Sequence, residues 1–316
     1  AGFIGSQLCH YLLNRGEEVV GIDDLNAYYD PALKQARLDV LTGRSGFSFL
    51  KGDIAEAGAL AEAVRGRRIV KVAHLAAQAG VRYSLENPRA YVRSNLDGHL
   101  EILELCRGLG TVEHLVYASS SSVYGGNEKA PFSESDPVDH PVSLYAATKK
   151  ADELMSHAYA HLYGIPQTGL RYFTVYGPWG RPDMAYWLFT EAMLKGKPIR
   201  VFNDGQMWRD FTYVDDIVWG TAAALDHPPG ATAGAPHRVY NIGHNKPEQL
   251  GQFIDILEET LGVKAIRQYE PMQPGDVLRT YADISAIERD LGFKPRVTLR
   301  DGLARFADWY RRYFKI

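Results

Sequence analysis

Tyr145 and Lys149 stand four residues apart, which puts both side chains on one face of a helix, where the ammonium can lower the phenol's pKa electrostatically. A phenolate near neutral pH is a base. Ser120 lies upstream, directly after the apolar run Leu115-Val116-Tyr117-Ala118, which reads as a strand delivering a hydroxyl to the tip of a sheet. A hydroxyl, a phenol and an ammonium together suit oxidation of an alcohol by a nicotinamide cofactor. The Tyr-x-x-x-Lys spacing is weak by itself. Among 19 tyrosines about one such pair arises by chance, and its plain reading is a solvated helix contact. Its weight comes from the serine and from the glycine turn at the start of the chain.

That turn is Ala1-Gly2-Phe3-Ile4-Gly5, followed by the amphipathic Leu8, Tyr11, Leu12 and Leu13. It reads as the second half of a Gly-x-x-Gly-x-x-Gly turn opening a helix, and the strand and first glycine that should feed it are expected before Ala1. Glu18 to Asp23 then reads as a strand ending in an acid at the usual offset from the surviving glycine. A carboxylate there hydrogen-bonds ribose hydroxyls and repels a 2′-phosphate, favouring NAD over NADP. Further strands at Phe47 to Leu50 and Ile69 to Leu75, separated by helical patterns, imply a doubly wound parallel sheet. Asp53 and Ile54 sit past one strand end, where an adenine would lie. Ala76, Ala77 and Gln78 follow another, where small residues permit close approach of a cofactor.

Long helices are expected at about 88–107 and 143–163, with apolar positions beyond those needed to cover the sheet, enough for a four-helix dimer interface. Past Arg171 the alternation gives way to loops rich in Pro, Gly and aromatic residues, which usually carry substrate recognition. The reading divides the chain into a cofactor-binding Rossmann domain at 1–172 and a smaller substrate lobe at 173–316. The segment 210–243 is expected to return to the large sheet through Val239-Tyr240-Asn241-Ile242, so that the two interleave.

Composition narrows the function classes. The chain has 316 residues, 46% apolar, and a formal charge of −3, which disfavours non-specific nucleic-acid binding and points to small-molecule partners. Cys9 and Cys106 both fall in apolar helical patterns, so buried free thiols and a cytoplasmic enzyme are expected. No run of about 18 apolar residues is present. His157 and His161 are spaced for a helix face, but no third ligand signal accompanies them and no metal is assigned.

Taken together, these residues resemble an extended short-chain dehydrogenase/reductase of the nucleotide-sugar epimerase group. The likeness runs through Ala1 to Gly5, Gly21 to Asn26 with Asp23, Asp24 and Asn26, Gly52-Asp53-Ile54, and His74-Leu75-Ala76-Ala77. It continues through Ser119 to Gly125, Tyr145 with Lys149, Arg171-Tyr172-Phe173, and Arg209 to Asp216. Within the group, Ala79 to Ser84 and Thr174 to Ala185 look most like the UDP-glucuronate 4-epimerases.

The resemblance implies that NAD takes a hydride from C4 of a UDP-sugar and returns it to the opposite face, with Tyr145 as acid/base, Lys149 on the nicotinamide ribose and Ser120 on the reacting oxygen. It also implies that Gly2, Phe3, Ile4, Gly5, Leu75, Asn95, Tyr172 and Phe173 line the cofactor, that Val201 and Phe202 border the uracil, and that Arg209 and Arg279 meet the diphosphate. Sugar-nucleotide 4,6-dehydratases carry Asp-Glu after the catalytic hydroxyl, where this chain has Ser121-Ser122, and UDP-glucuronate decarboxylases place a glutamate before the Val-Tyr-Gly found here. Both are disfavoured. A 4-keto uronate is a β-keto acid that loses CO2 when its carboxylate bond aligns with the carbonyl, so an epimerase must hold that group. Ser121, Ser122 and Thr174 are candidate neutral donors, Arg82 and Arg181 candidate charged partners, and Ser84 belongs to the same loop as Arg82. A neutral UDP-hexose or its N-acetyl form is the alternative substrate.

Overall fold

The computed structural model describes residues 1–231, 234–272 and 278–316. Two parallel sheets form the larger unit. One pairs Val19–Asp23 with Phe47–Lys51; the other has the order Lys71–His74, His114–Ser120, Gln167–Tyr172, His237–Ile242. His114–Ser120 and Gln167–Tyr172 are buried along nearly their whole length, as expected of parallel strands covered on both faces. Successive side chains confirm the two layers. His114 Nδ1 bonds the Leu225 carbonyl in the helix Val214–Asp226, whereas Ser119, of opposite parity, donates to Glu153 in the helix Leu144–Tyr163.

Leu144–Tyr163 begins where Ser143 accepts a hydrogen bond from the Ala146 amide, and it ends at Gly164 in the left-handed region. The expected helix at 88–107 is instead composite: Pro88–Tyr91 and Gly98–Leu109 are α-helical, with a π-helical stretch at Val92–Asp97 between them. The wider turn accommodates the buried amide of Asn95, whose Nδ2 donates to the Gln78 carbonyl at 3.1 Å and to Thr148 at 2.9 Å while Oδ1 accepts from the Gln78 amide. A small residue is required just beyond it, because a Cβ at Gly98 would fall 2.7 Å from Ile54.

The second lobe has two small sheets. Trp208–Tyr213 pairs with Thr174–Tyr176, Pro247–Gln249 and Arg279–Thr280, and Pro198–Phe202 runs parallel to Ile266–Glu270. Residues 210–213 therefore pair outside the large sheet, while Val214–Asp226 and His237–Ile242 join it. Asp210 explains the anchoring. Its fully buried carboxylate accepts from the amides of His244, Asn245 and Ala282, tying three segments of the second lobe together.

An aromatic cluster of Trp187, Phe306, Trp309 and Tyr310 joins the helices Ala185–Leu194 and Leu299–Phe314. One hydrophobic core runs through both lobes, and a smaller one behind Gly98–Leu109 contains Ile54, Leu103 and Cys106. Both cysteines are free. Cys106 is buried and its thiol is pushed up to about 12 by desolvation, but Cys9 is half-buried, short of the full burial expected from its helical pattern. Among the described residues no helix is long and apolar enough to cross a membrane.

Candidate active site

The helix Phe3–Asn14 starts at Gly2, which offers no side-chain cap, and its first turn carries no acid. Its leading N–H groups are thus available to an anion, and a Cβ built at Gly2 meets nothing within 4 Å. Phe3 is buried, Ile4 is partly buried, and Gly5 faces Leu75. Asp23 closes the adjoining strand and accepts the Leu25 amide at 2.8 Å; Asp24 does the same for Asn26, receiving both its backbone and side-chain N–H. Ala76 and Ala77 follow the strand Lys71–His74. Uncapped helix donors, a carboxylate at a strand end and small residues past a neighbouring strand form a set that fits a dinucleotide.

Three of the residues expected near that cofactor are engaged elsewhere. Asp53 receives Arg93 through both Nε (3.0 Å) and Nη2 (2.8 Å), an ion pair the sequence reading did not include. Ile54 is buried in the smaller core. Tyr172 is buried too, its phenol bonded to Thr221 at 2.9 Å, so its hydroxyl is turned into the protein.

Ser120 ends the strand His114–Ser120, and Tyr145 and Lys149 lie a turn apart on Leu144–Tyr163, which packs on that strand and on the 3₁₀ turn Ser121–Tyr124. The Ser120 hydroxyl accepts the Ser122 amide at 3.2 Å. Tyr145 meets Tyr91 edge-on at 6.0 Å, and Tyr91 is itself held by the carbonyls of Gly80 and Ala79. Lys149 and Asp152 form a buried ion pair with Nζ 2.6 Å from Oδ2. Burial raises the Asp152 carboxyl to about 6 against the opposing pull of Lys149. The other oxygen, Oδ1, bonds to none of the described residues.

A second buried pair fixes the strand end beneath the serines. Arg171 forks onto Glu153 at 2.7 and 2.8 Å, Glu153 also accepts from Ser119, and Arg171 donates to Tyr124, which donates to Asn241.

Ser121, Ser122 and Thr174 are half-buried. A Cβ built at Gly80 would stand 3.6 Å from the Tyr91 hydroxyl and 3.8 Å from Nη2 of Arg181, so Arg181 borders the phenol that meets Tyr145, and its guanidinium forks onto Asp183. Arg82 lies elsewhere: its guanidinium is 5.5 Å from the centre of the Phe202 ring, placing it beside the expected uracil border rather than with the serines. Ser84 is buried and donates to the Val81 carbonyl, which closes its own turn. Val201 is buried in the core, leaving Phe202 as the partly exposed member of that pair. Arg209 and Arg279 lie on paired strands, Arg279 over the Trp208 ring at 5.6 Å and Arg209 bonded to the Trp208 carbonyl.

Asp152, Asp183 and Arg37 were missed by sequence reasoning. Only Asp152 carries a local signal, its i, i+3 spacing from Lys149. Among the described residues no group of three or more His, Cys, Asp or Glu is placed to hold a metal ion.

Parallel sheets, an uncapped glycine-led helix, and a serine at a central strand end beside a helical Tyr–Lys pair define a Rossmann-type scaffold that fits a nucleotide cofactor. The chain belongs to the NAD dependent epimerase/dehydratase family, whose profile matches residues 1–243. UDP-glucuronate 4-epimerase 1 of Arabidopsis thaliana is 49% identical, with 99% of this chain and 75% of that protein aligned. The UDP-glucuronic acid 4-epimerase of Bacillus cereus, solved with UDP-glucuronic acid and NAD, superposes with a TM-score of 0.89 at 36% identity, covering 99% of this chain and 97% of that one. The UDP-glucose 4-epimerase of Thermotoga maritima, solved with UDP-glucose, gives 0.88 at 30% identity over 99% and 97%.

Proposed function

We propose that this chain is an NAD-dependent isomerase that interconverts UDP-glucuronate and UDP-galacturonate at C4. The relatives named above support 4-epimerisation of a UDP-sugar. What favours a uronate is the half-buried set of neutral donors Ser121, Ser122 and Thr174 beyond Ser120, together with the Arg181 cation, which borders Gly80 beside the Tyr91 phenol that meets Tyr145.

The helix start at Gly2, Phe3, Ile4 and Gly5 would hold the cofactor diphosphate, Asp23 and Asp24 the adenosine ribose, and Leu75, Ala76, Ala77 and Gln78 would flank it, with Asn95 fixing Gln78. The chemistry that bound NAD would supply is acceptance of the C4 hydride and its return. Tyr145 takes the proton of the 4-hydroxyl and gives it back after the 4-keto sugar has turned. Ser120 steadies the oxygen that changes between alcohol and carbonyl. Lys149, held by Asp152, would meet the nicotinamide ribose. Arg209 and Arg279 take the substrate diphosphate, and Arg82 with Phe202 the uridine side. Ser121, Ser122, Thr174 and Arg181 hold the carboxylate out of line with the C4 carbonyl, which suppresses loss of CO2.

We place the enzyme in the cytoplasm, in keeping with its two free thiols. We also propose a homodimer through a four-helix bundle. Leu154, Ala158 and Leu162 follow at four-residue spacing along one exposed face of Leu144–Tyr163, and Val92 and Leu100 are exposed on the neighbouring helical run.

Substrate comparison tests the reading. Values of kcat/KM for the uronate pair should exceed those for UDP-glucose and UDP-N-acetylglucosamine by about two orders of magnitude or more, because a neutral sugar leaves the carboxylate donors unpaired. The reverse preference would assign the site to neutral hexoses.

A further inference from the structure

Asp183 lies two residues past Arg181, in the loop that follows Gly180. Nε of Arg181 donates to Oδ1 of Asp183 at 3.1 Å and Nη2 donates to Oδ2, so the carboxylate fills the side-on edge of the guanidinium. The side chains are 25% and 31% exposed, which leaves the pair shielded but reachable. The phenol of Tyr28, from the loop after Val19–Asp23, donates to Oδ2 of Asp183 at 3.2 Å, and its ring rests on Tyr83 at 4.8 Å.

The loop backbone is pinned as well. Buried Arg37 donates to the carbonyls of Trp179 (2.9 and 2.6 Å) and Gly180 (2.8 Å), and the Arg181 amide donates to the Tyr186 hydroxyl at 3.0 Å. Gly80, on a backbone with φ of +109°, leaves room for the phenol that donates to Asp183: a Cβ there would fall 2.9 Å from the Tyr28 hydroxyl and 3.8 Å from Nη2 of Arg181. Several elements therefore hold Arg181 in one pose with an internal carboxylate on its fork.

Under the uronate reading, on which this inference rests, the arginine faces a conflict. An unopposed guanidinium forked onto the substrate carboxylate would make a strong, planar, orientation-specific pair. Epimerisation requires the sugar to turn between the two hydride transfers. A pair that pins the carboxylate pins the ring.

We propose that Asp183 is a positioning residue that tempers Arg181: by taking the bidentate edge and offsetting the charge, it leaves the arginine to meet the uronate through a single, weaker contact that permits the ring to turn. Asp183 thus trades affinity for turnover, and it acts on acidic sugars alone.

Binding is the first readout, measured calorimetrically on the full NAD-loaded chain carrying Tyr145→Phe to prevent turnover. Adding Asp183→Asn should tighten UDP-glucuronate by about five- to tenfold and leave UDP-glucose within about twofold. Asp183→Ser should act in the same direction, which guards against a peculiarity of one side chain. With Tyr145 restored, Asp183→Asn should lower both KM and kcat for UDP-glucuronate. Unchanged or weaker uronate binding overturns the proposal, and so does an equal change for both sugars, which marks a merely structural loop contact. The binding arm needs no turnover. Absence of UDP-glucuronate epimerisation by the unmodified chain would instead count against the proposed function, whatever Asp183 does.

Discussion

Two buried ions, Lys149 and Asp152, carry a cost that their pairing must offset. Removing the carboxylate strands an ammonium in the core, and such losses amount to about 3–5 kcal/mol. Asp152→Ala should therefore destabilise the NAD-free protein by that order in urea unfolding, while Asp152→Asn, which keeps a hydrogen-bond acceptor, should cost less; a loss under about 1 kcal/mol for Asp152→Ala would show that the ammonium finds water or another partner. Tyr145→Phe bears on chemistry rather than folding. It should lower kcat by about two to four orders of magnitude while UDP-sugar affinity stays within a few-fold, and retained turnover would remove Tyr145 from the acid/base role. Ser120, Tyr145 and Lys149 were legible because their spacing is set by one strand end and one helix turn. Asp183 and Arg37 were not, since a loop acid and a helix arginine look solvated until tertiary contacts such as Arg37 to Trp179 bring their partners.

Strand and helix alternation was readable because each element buries an apolar stripe against the parallel sheets. The π-helical stretch at Val92–Asp97 was not, because apolar spacing carries no trace of the buried Asn95 amide that it accommodates. The strand Trp208–Tyr213 was likewise drawn away from the large sheet by the long-range bonds of Asp210, which no local pattern encodes. At this scale the exposed face of Leu144–Tyr163 makes a prediction. Leu154→Glu with Leu162→Arg should yield a monomer in sedimentation analysis without loss of helical content, because charge at a bundle core opposes its burial. A dimer that persists would place the interface elsewhere.

Across the whole molecule, buried histidines couple stability to pH. Desolvation holds His74 down to about 3 and His114 and His237 to about 4, below their ordinary value of 6.5. Their stabilising contribution is complete above pH 6.5 and is lost as pH falls toward 4, by about 1.4 kcal/mol per pH unit for each proton the unfolded chain takes up. Asp152, raised to about 6, works in the opposite sense below that pH, but the histidines outnumber it. The thermal midpoint should thus fall between pH 6.5 and 5, and a flat profile over that range would show that these imidazoles are not buried as neutral groups.

These scales meet in the proposed reaction, which asks the scaffold to keep its cofactor, the phenol to move a proton and the carboxylate to stay in place. Incubation of the purified protein with UDP-glucuronate and no added NAD, followed by NMR and mass spectrometry, tests all of this at once. The account predicts UDP-galacturonate of unchanged mass, approaching a near-even mixture. A product lighter by one CO2, or turnover of UDP-glucose with none of UDP-glucuronate, would contradict it.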